Sequence, residues 1–201
     1  MTEWTSDFAE FLREIAETTY PEPRTDGHTK LTRTMLAKVA PLMRRGGIAL
    51  DVGCGRGPAL EWFAEQKIHA IGITINASDL AACENVGFLV EHCDQNDIKQ
   101  PDGFFSLVWA RHVLEHSVCP MWTLREYRRV LEPGGLLYVE VPGPDTPCQH
   151  EQNQNHFSVF GWKAWHFLLT KSGFDVKECA QIDLETSVGG DRYFYFIATK
   201  K

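Results

Sequence analysis

The sequence predicts an α/β fold, a doubly wound and mostly parallel sheet, and three observations carry that expectation. Apolar runs of strand length alternate with helical patterns along most of the chain. The run Ile48-Ala49-Leu50 ends in Asp51 and then in three glycines spaced by two, Gly53, Gly55 and Gly57, before a helical pattern with Ala59, Leu60, Trp62 and Phe63. Strand, tight glycine turn, helix is how a nucleotide cofactor is held at the carboxyl edge of a parallel sheet. Glycine lets the backbone approach a ligand, and the helix start offers free N–H groups. Finally, Phe104 to Ala110 is almost continuously apolar, as a central strand covered on both faces is.

Each element follows from its pattern. Residues 4–19 place Trp4, Phe8, Phe11, Leu12, Ile15 and Ala16 on one helical stripe that Pro21 and Pro23 stop. A second helix carries Leu31, Met35, Leu36, Val39 and Leu42 and ends at Gly46-Gly47. These two form a cap over the sheet edge, a lid over the site, or a simple packing layer. Strands are expected at 48–53, 68–73, 87–92, 104–110, 136–141, 174–181 and 192–199, seven in all. Helices are expected at about 58–66, from Ala77 to Asn85 behind an Asn76 or Ser78 cap, at 119–131, and at 159–172 with Gly173 as its C-cap. Pro133-Gly134-Gly135 turns into the fifth strand. After it, residues 142–157 form a polar loop with Gln149, His150, Glu151 and His156, either a substrate loop or a solvated connector.

The chain's 201 residues suit one domain, with 1–46 a helical N-terminal cap and 47–201 the α/β core. Lys and Arg number 20 against 27 Asp and Glu, a formal net charge of −7 with no basic block, which argues against a general nucleic-acid binder. Six scattered cysteines without a C-x-x-C pair read as reduced thiols of a cytoplasmic protein. No signal peptide is visible, and no apolar run reaches the roughly 18 residues of a membrane span. His112-x-x-Glu115-His116 matches the inverted zinc-protease pattern, and Cys148, His150, Glu151 and His156 cluster in sequence. The first has an explanation without metal and the second fits no standard scheme, so no metal is expected.

The glycine loop discriminates among cofactors. The dinucleotide fingerprint needs glycine at 58, where Pro58 stands, and the phosphate-loop form needs a lysine that is absent. The D-x-G-x-G-x-G of Asp51 to Gly57 resembles motif I of the class I S-adenosylmethionine-dependent methyltransferases. Further matches follow in order: His92-Cys93-Asp94 ending strand three, Phe105-Ser106-Leu107-Val108, His112 to His116, Arg129-Val130-Leu131-Glu132-Pro133-Gly134-Gly135, His156-Phe157-Ser158 and Ser172-Gly173-Phe174. The resemblance covers about residues 45–200. It implies a Rossmann-like fold, S-adenosylmethionine as cofactor, and methyl transfer to a small molecule with an O, N or C nucleophile.

The resemblance also implies roles. Asp51, Gly53, Cys54, Gly55 and Gly57 hold the methionine end and ribose side. Thr74 and Ile75 lie at the ribose, Asp94, Gln95 and Asn96 at the adenine, and Arg111 and His112 near the methionine and methyl. His116 and His156 are the candidate bases, with His150 a further histidine on the loop. Two positions depart from the family. Thr74 stands where the family has a ribose-binding acid, with no other acid between Glu65 and Asp79. Ser106 replaces an acid that is structural or lines the site entrance. These departures support a second reading, a catalytically weak or inactive methyltransferase-fold binding module. Nicotinamide redox chemistry, the third, is opposed by Pro58 and by the missing acid near residue 74.

Overall fold

The computed structural model describes residues 10–15 and 25–201. Of the first predicted helix only 10–15 is described, and it is helical (α1); Trp4, Phe8, Pro21 and Pro23 lie outside the described residues. Seven strands form one sheet in the order β3-β2-β1-β4-β5-β7-β6. They are β1 (Ile48–Val52), β2 (His69–Thr74), β3 (Val90–His92), β4 (Phe105–Arg111), β5 (Leu131–Pro142), β6 (Phe174–Thr186) and β7 (Gly189–Lys200). The first five pair in parallel, and β7 runs antiparallel between β5 and β6. The strand order reverses between β1 and β4, which opens a crevice at their carboxyl ends.

Alternation along β4 sends its side chains to two cores. Leu107 and Trp109 meet α2 (Asp26–Val39) and α3 (Pro58–Glu65) on one face; Val108 and Ala110 meet α5 (Pro120–Val130) and α6 (Trp162–Lys171) on the other. Trp109 stacks on Tyr138 with ring centroids 4.1 Å apart. The expected cap helix, α2, therefore packs on a sheet face through Met35, Leu36 and Val39. The remaining helix, α4 (Ala77–Asn85), starts at the expected cap: the Asn76 side chain accepts from the N–H groups of Ser78 and Asp79.

Several boundaries differ from expectation. The third strand begins at Val90, because Gly87 turns with φ +85°. β5 starts earlier: Leu131 pairs with Phe105 and Leu136 with Leu107, so Pro133-Gly134-Gly135 bulges out of the strand instead of preceding it. Ser106 lies at the amino end of β4, away from the crevice. Its hydroxyl donates to Glu132 Oε1 at 2.8 Å, and Arg44 Nε stands 3.0 Å from the same oxygen. The departure at 106 thus belongs to the far end of the sheet. The carboxylate at this end of the sheet is Glu132.

Candidate functional site

A cavity of about 240 Å³ opens at the carboxyl ends of β1, β2 and β4. Its floor is the loop after β1, where Asp51, Gly53, Cys54 and Gly55 line it. Asp51 is 3% exposed, and its Oδ2 has no hydrogen-bond partner among the described residues. Burial pushes its carboxyl well above the usual carboxylate range. A donor brought by a ligand would complement that oxygen. Gly53 has φ +63°, and a Cβ there would stand 2.7 Å from Val113 Cγ2; Gly55 has φ +51° with open space beside it. Gly57 does not line the cavity. It caps α3 with φ +78° and turns toward Phe88 and Cys83, so its task is the turn.

Thr74 and Ile75 line the wall beyond. Thr74 is only 6% exposed, and its Oγ1 accepts from the N–H of Asn76, so its hydroxyl serves the turn into α4. A carboxylate reaches this part of the cavity from α4. Asp79, in its first turn, is 5% exposed, lines the cavity, and keeps Oδ1 without a hydrogen-bond partner among the described residues. Burial raises its carboxyl, while Arg56, with Nε 3.6 Å from Oδ1, draws it down. Asp79, which closes the acid-free stretch after Glu65, is thus a carboxylate beside Thr74 and Ile75 in the cavity wall. The Asn76 cap fixes the helix start that carries Asp79: its side chain accepts from the Asp79 N–H.

Asp94, Gln95 and Asn96 all line the cavity after β3. Two of them are braces. Gln95 donates to Val113 O and accepts from the Tyr127 hydroxyl. Asn96 donates twice to Asp94 Oδ1, from its N–H and from Nδ2, and accepts from Thr123. The brace orients Asp94 and leaves its other oxygen to the cavity side.

Opposite lies a charged wall. Arg111 and His112 line the cavity after β4 and share Glu140, a fully buried acid on β5; Arg111 Nε and His112 Nε2 stand 2.8 and 3.1 Å from its Oε1. His112 Nδ1 lies 3.5 Å from Glu115 Oε1. Burial and Arg111 oppose a charge on His112, but Glu115 and Glu140 overcome them and raise it to about 9. The residue adopts φ +51°, and its ring stacks on His28 and meets Tyr193 edge-on at 4.3 Å. The segment 112–116 is thus no zinc-protease helix; Leu114–His116 is a 3-10 turn. His116 lines the cavity, whereas His156 does not. His156 backs His116 edge-to-face at 4.9 Å and stacks on His150 at 5.6 Å. His150 Nε2 in turn reaches both oxygens of Asp191, at 2.9 and 3.1 Å. Also lining the cavity are His28, Thr32, Asn153 and Asn155, which the sequence did not single out.

The model of a family described as methyltransferase domain matches residues 26–178. Among characterised relatives, 27-O-demethylrifamycin SV methyltransferase of Amycolatopsis mediterranei is 36% identical over 129 residues, 58% of this chain and 47% of that protein. The chloroplastic tocopherol O-methyltransferase of Arabidopsis thaliana is 32% identical over 99 residues, 45% of this chain and 28% of that protein. The chain thus spans half or less of these relatives' lengths. Among solved structures, the 1,6-didemethyltoxoflavin-N1-methyltransferase of Burkholderia thailandensis superposes with a TM-score of 0.72 at 18% identity, covering 100% of this chain and 92% of that one. The [4+2]-cyclase SpnF superposes at 0.71 with 19% identity, covering 96% and 92%. These two share the fold.

Proposed function

The chain belongs to the methyltransferase domain family, whose cofactor is S-adenosylmethionine, and on that premise we propose that it methylates a small molecule in the cavity above β1, β2 and β4. The observation that carries the reading is Asp51: a buried carboxyl group with one oxygen uncomplemented, set beside a glycine loop that leaves room for a ligand. The residues present suit the cofactor. Asp51 accepts from its donors at the methionine side, Asp79 accepts from the ribose hydroxyls in place of the acid absent at Thr74, and Asp94 accepts from the adenine amino group. Arg111 and His112 offer positive charge to its carboxylate. When bound, the cofactor supplies a methyl group already activated on a sulfonium.

What remains for the chain is to hold an acceptor in line with that methyl and to exclude water. The acceptor end is the face of His116, backed by His156 and flanked by Asn153 and Asn155. An oxygen or carbon nucleophile has to lose its proton on this face. The relatives named for 27-O-demethylrifamycin SV and for tocopherol O-methylation support a small acceptor with an oxygen nucleophile. Because Asp79 replaces the missing ribose acid, the site is not impaired in the way the sequence departure at 74 suggests, and the binding-module reading loses its main support.

Calorimetry tests this directly. S-adenosylhomocysteine should bind one to one, NADH should not, and Asp51→Ala should abolish the first signal while the protein stays folded. No binding of S-adenosylhomocysteine to the native chain would reject the reading.

A further inference from the structure

Beside the cavity, three side chains meet that no spacing in the sequence joins. Glu115 and His116 come from the 3-10 turn after β4, and His156 from the loop between β5 and α6. One donor atom of each lies within 4.8 Å of those of the other two. Glu115 is 1% exposed, and neither carboxylate oxygen has a hydrogen-bond partner among the described residues. The imidazole of His112, 3.5 Å from Oε1, faces only one of them. A buried carboxylate left this incomplete is costly unless a further cation completes it. His116 is oriented for that cation. Its Nδ1 lies 2.8 Å from the carbonyl oxygen of Asn155 and so carries the proton, which leaves the lone pair on Nε2. A backbone carbonyl on the second nitrogen is the usual support of a metal-bound imidazole.

We propose that Glu115, His116 and His156 bind a divalent transition-metal ion of the zinc type at the acceptor end of the cavity. The inference rests on the methyl-transfer reading and deepens it: the acceptor is a hydroxylated molecule that ligates the ion. Two imidazoles and a carboxylate suit zinc and leave a fourth position for solvent or substrate. Tetrahedral ligands at about 2.0–2.2 Å stand about 3.3–3.6 Å apart, so small rotations close the three groups around an ion. His116 lines the cavity, so the proposed site borders it, and an acceptor in the cavity is within reach of the fourth position. An acceptor hydroxyl held there gives up its proton to solvent near neutral pH, since the ion lowers its pKa. The oxygen lone pair then forms the bond to the methyl carbon as the carbon–sulfur bond breaks, its electron pair staying on sulfur.

A second cluster, Cys148, His150 and Asp191, lies nearby but is complete without an ion. His150, Thr146 and the N–H of Arg192 already satisfy Asp191.

The experiment strips the purified protein with a chelator, then titrates it with cobalt(II) by absorption and with zinc by calorimetry. One equivalent should bind, with visible bands of low-coordinate cobalt and no thiolate-to-cobalt charge transfer. His156→Ala and Glu115→Gln, each checked for folding by circular dichroism, should weaken cobalt binding by more than about a hundredfold. Failure to bind either ion, or full binding in His156→Ala, overturns the proposal. So does a thiolate band that vanishes in Cys148→Ser, since the ion would then belong to the second cluster. S-adenosylhomocysteine is titrated into the same samples. Its binding without cobalt binding overturns the metal site and leaves the methyl-transfer reading standing. Cobalt binding without it does the reverse.

Discussion

The two halves of the cavity are built differently. The β1–β2–β3 half is made of short segments at successive strand ends: 51–55, 74–79 and 94–96. Its polar groups are three carboxylates, Asp51, Asp79 and Asp94, set among glycine backbone and the braced side chains of Thr74, Gln95 and Asn96. The β4–β5–β7 half draws on residues from 111 to 193, and its groups are imidazoles, a guanidinium and the buried acids between them. In the proposed reading, a cofactor of constant shape is met chiefly by the half whose parts are local in sequence. In the same reading Arg111 and His112 still face the cofactor, while the acceptor meets His116 and the 153–155 loop, where a change of loop changes the chemistry without touching the sheet.

The comparison breaks most sharply at Gly53. Gly53→Val sets a branched side chain against Val113 in a left-handed backbone, and should cost more than about 2 kcal/mol and abolish S-adenosylhomocysteine binding. Gly55→Ala meets open space and should cost only the conformational term, about 1–2 kcal/mol. Thermal unfolding with calorimetry distinguishes the two, and equal effects would mean that the cofactor half does not depend on close packing.

Asp79 comes next. Asp79→Ala removes a buried acceptor and should weaken S-adenosylhomocysteine by about 1.5–3 kcal/mol, ten- to a hundredfold. Thr74→Asp, which would restore the family's acid, should then give no gain, because the new carboxylate would be buried with Asp79 already in place. Tighter binding in Thr74→Asp would return the ribose to residue 74.

Ser106 tests the far end of the sheet. Ser106→Asp faces Glu132 and should destabilise the fold by about 1–3 kcal/mol, with most of that recovered in the double variant with Glu132→Lys. Denaturant midpoints measure this, and cofactor affinity should not move.

The smallest effect is expected of His150→Ala. His150 lies outside the cavity wall, so S-adenosylhomocysteine affinity should stay within about twofold. A larger change would show that the two halves are coupled.

Much of the cofactor half was legible because each of its segments ends a strand that hydrophobic periodicity locates, and the ligand-facing residues follow within a few positions. Asp51, Gly53 and Gly55 line the cavity at the strand end where that pattern puts them, as does Asp94. Gly57 could not be told from its neighbours, since one glycine spacing serves both a ligand and a helix turn. Asp79 was missed because a helix start is read for its cap, and whether the next acid points outward or into a cavity depends on how the helix leans on the sheet.

The sequence by itself determined the order and kind of the elements, the mostly parallel sheet, and the turn that opens the cavity. These rest on periodicity and turn chemistry, which act over a few residues. Tertiary structure alone decided that Glu132 would meet Ser106, that His112 would sit between two buried acids, and that His156 would come against His116, forty residues earlier. Such contacts depend on the path of the 143–157 loop and on strand register, and no local pattern encodes where two distant loops touch.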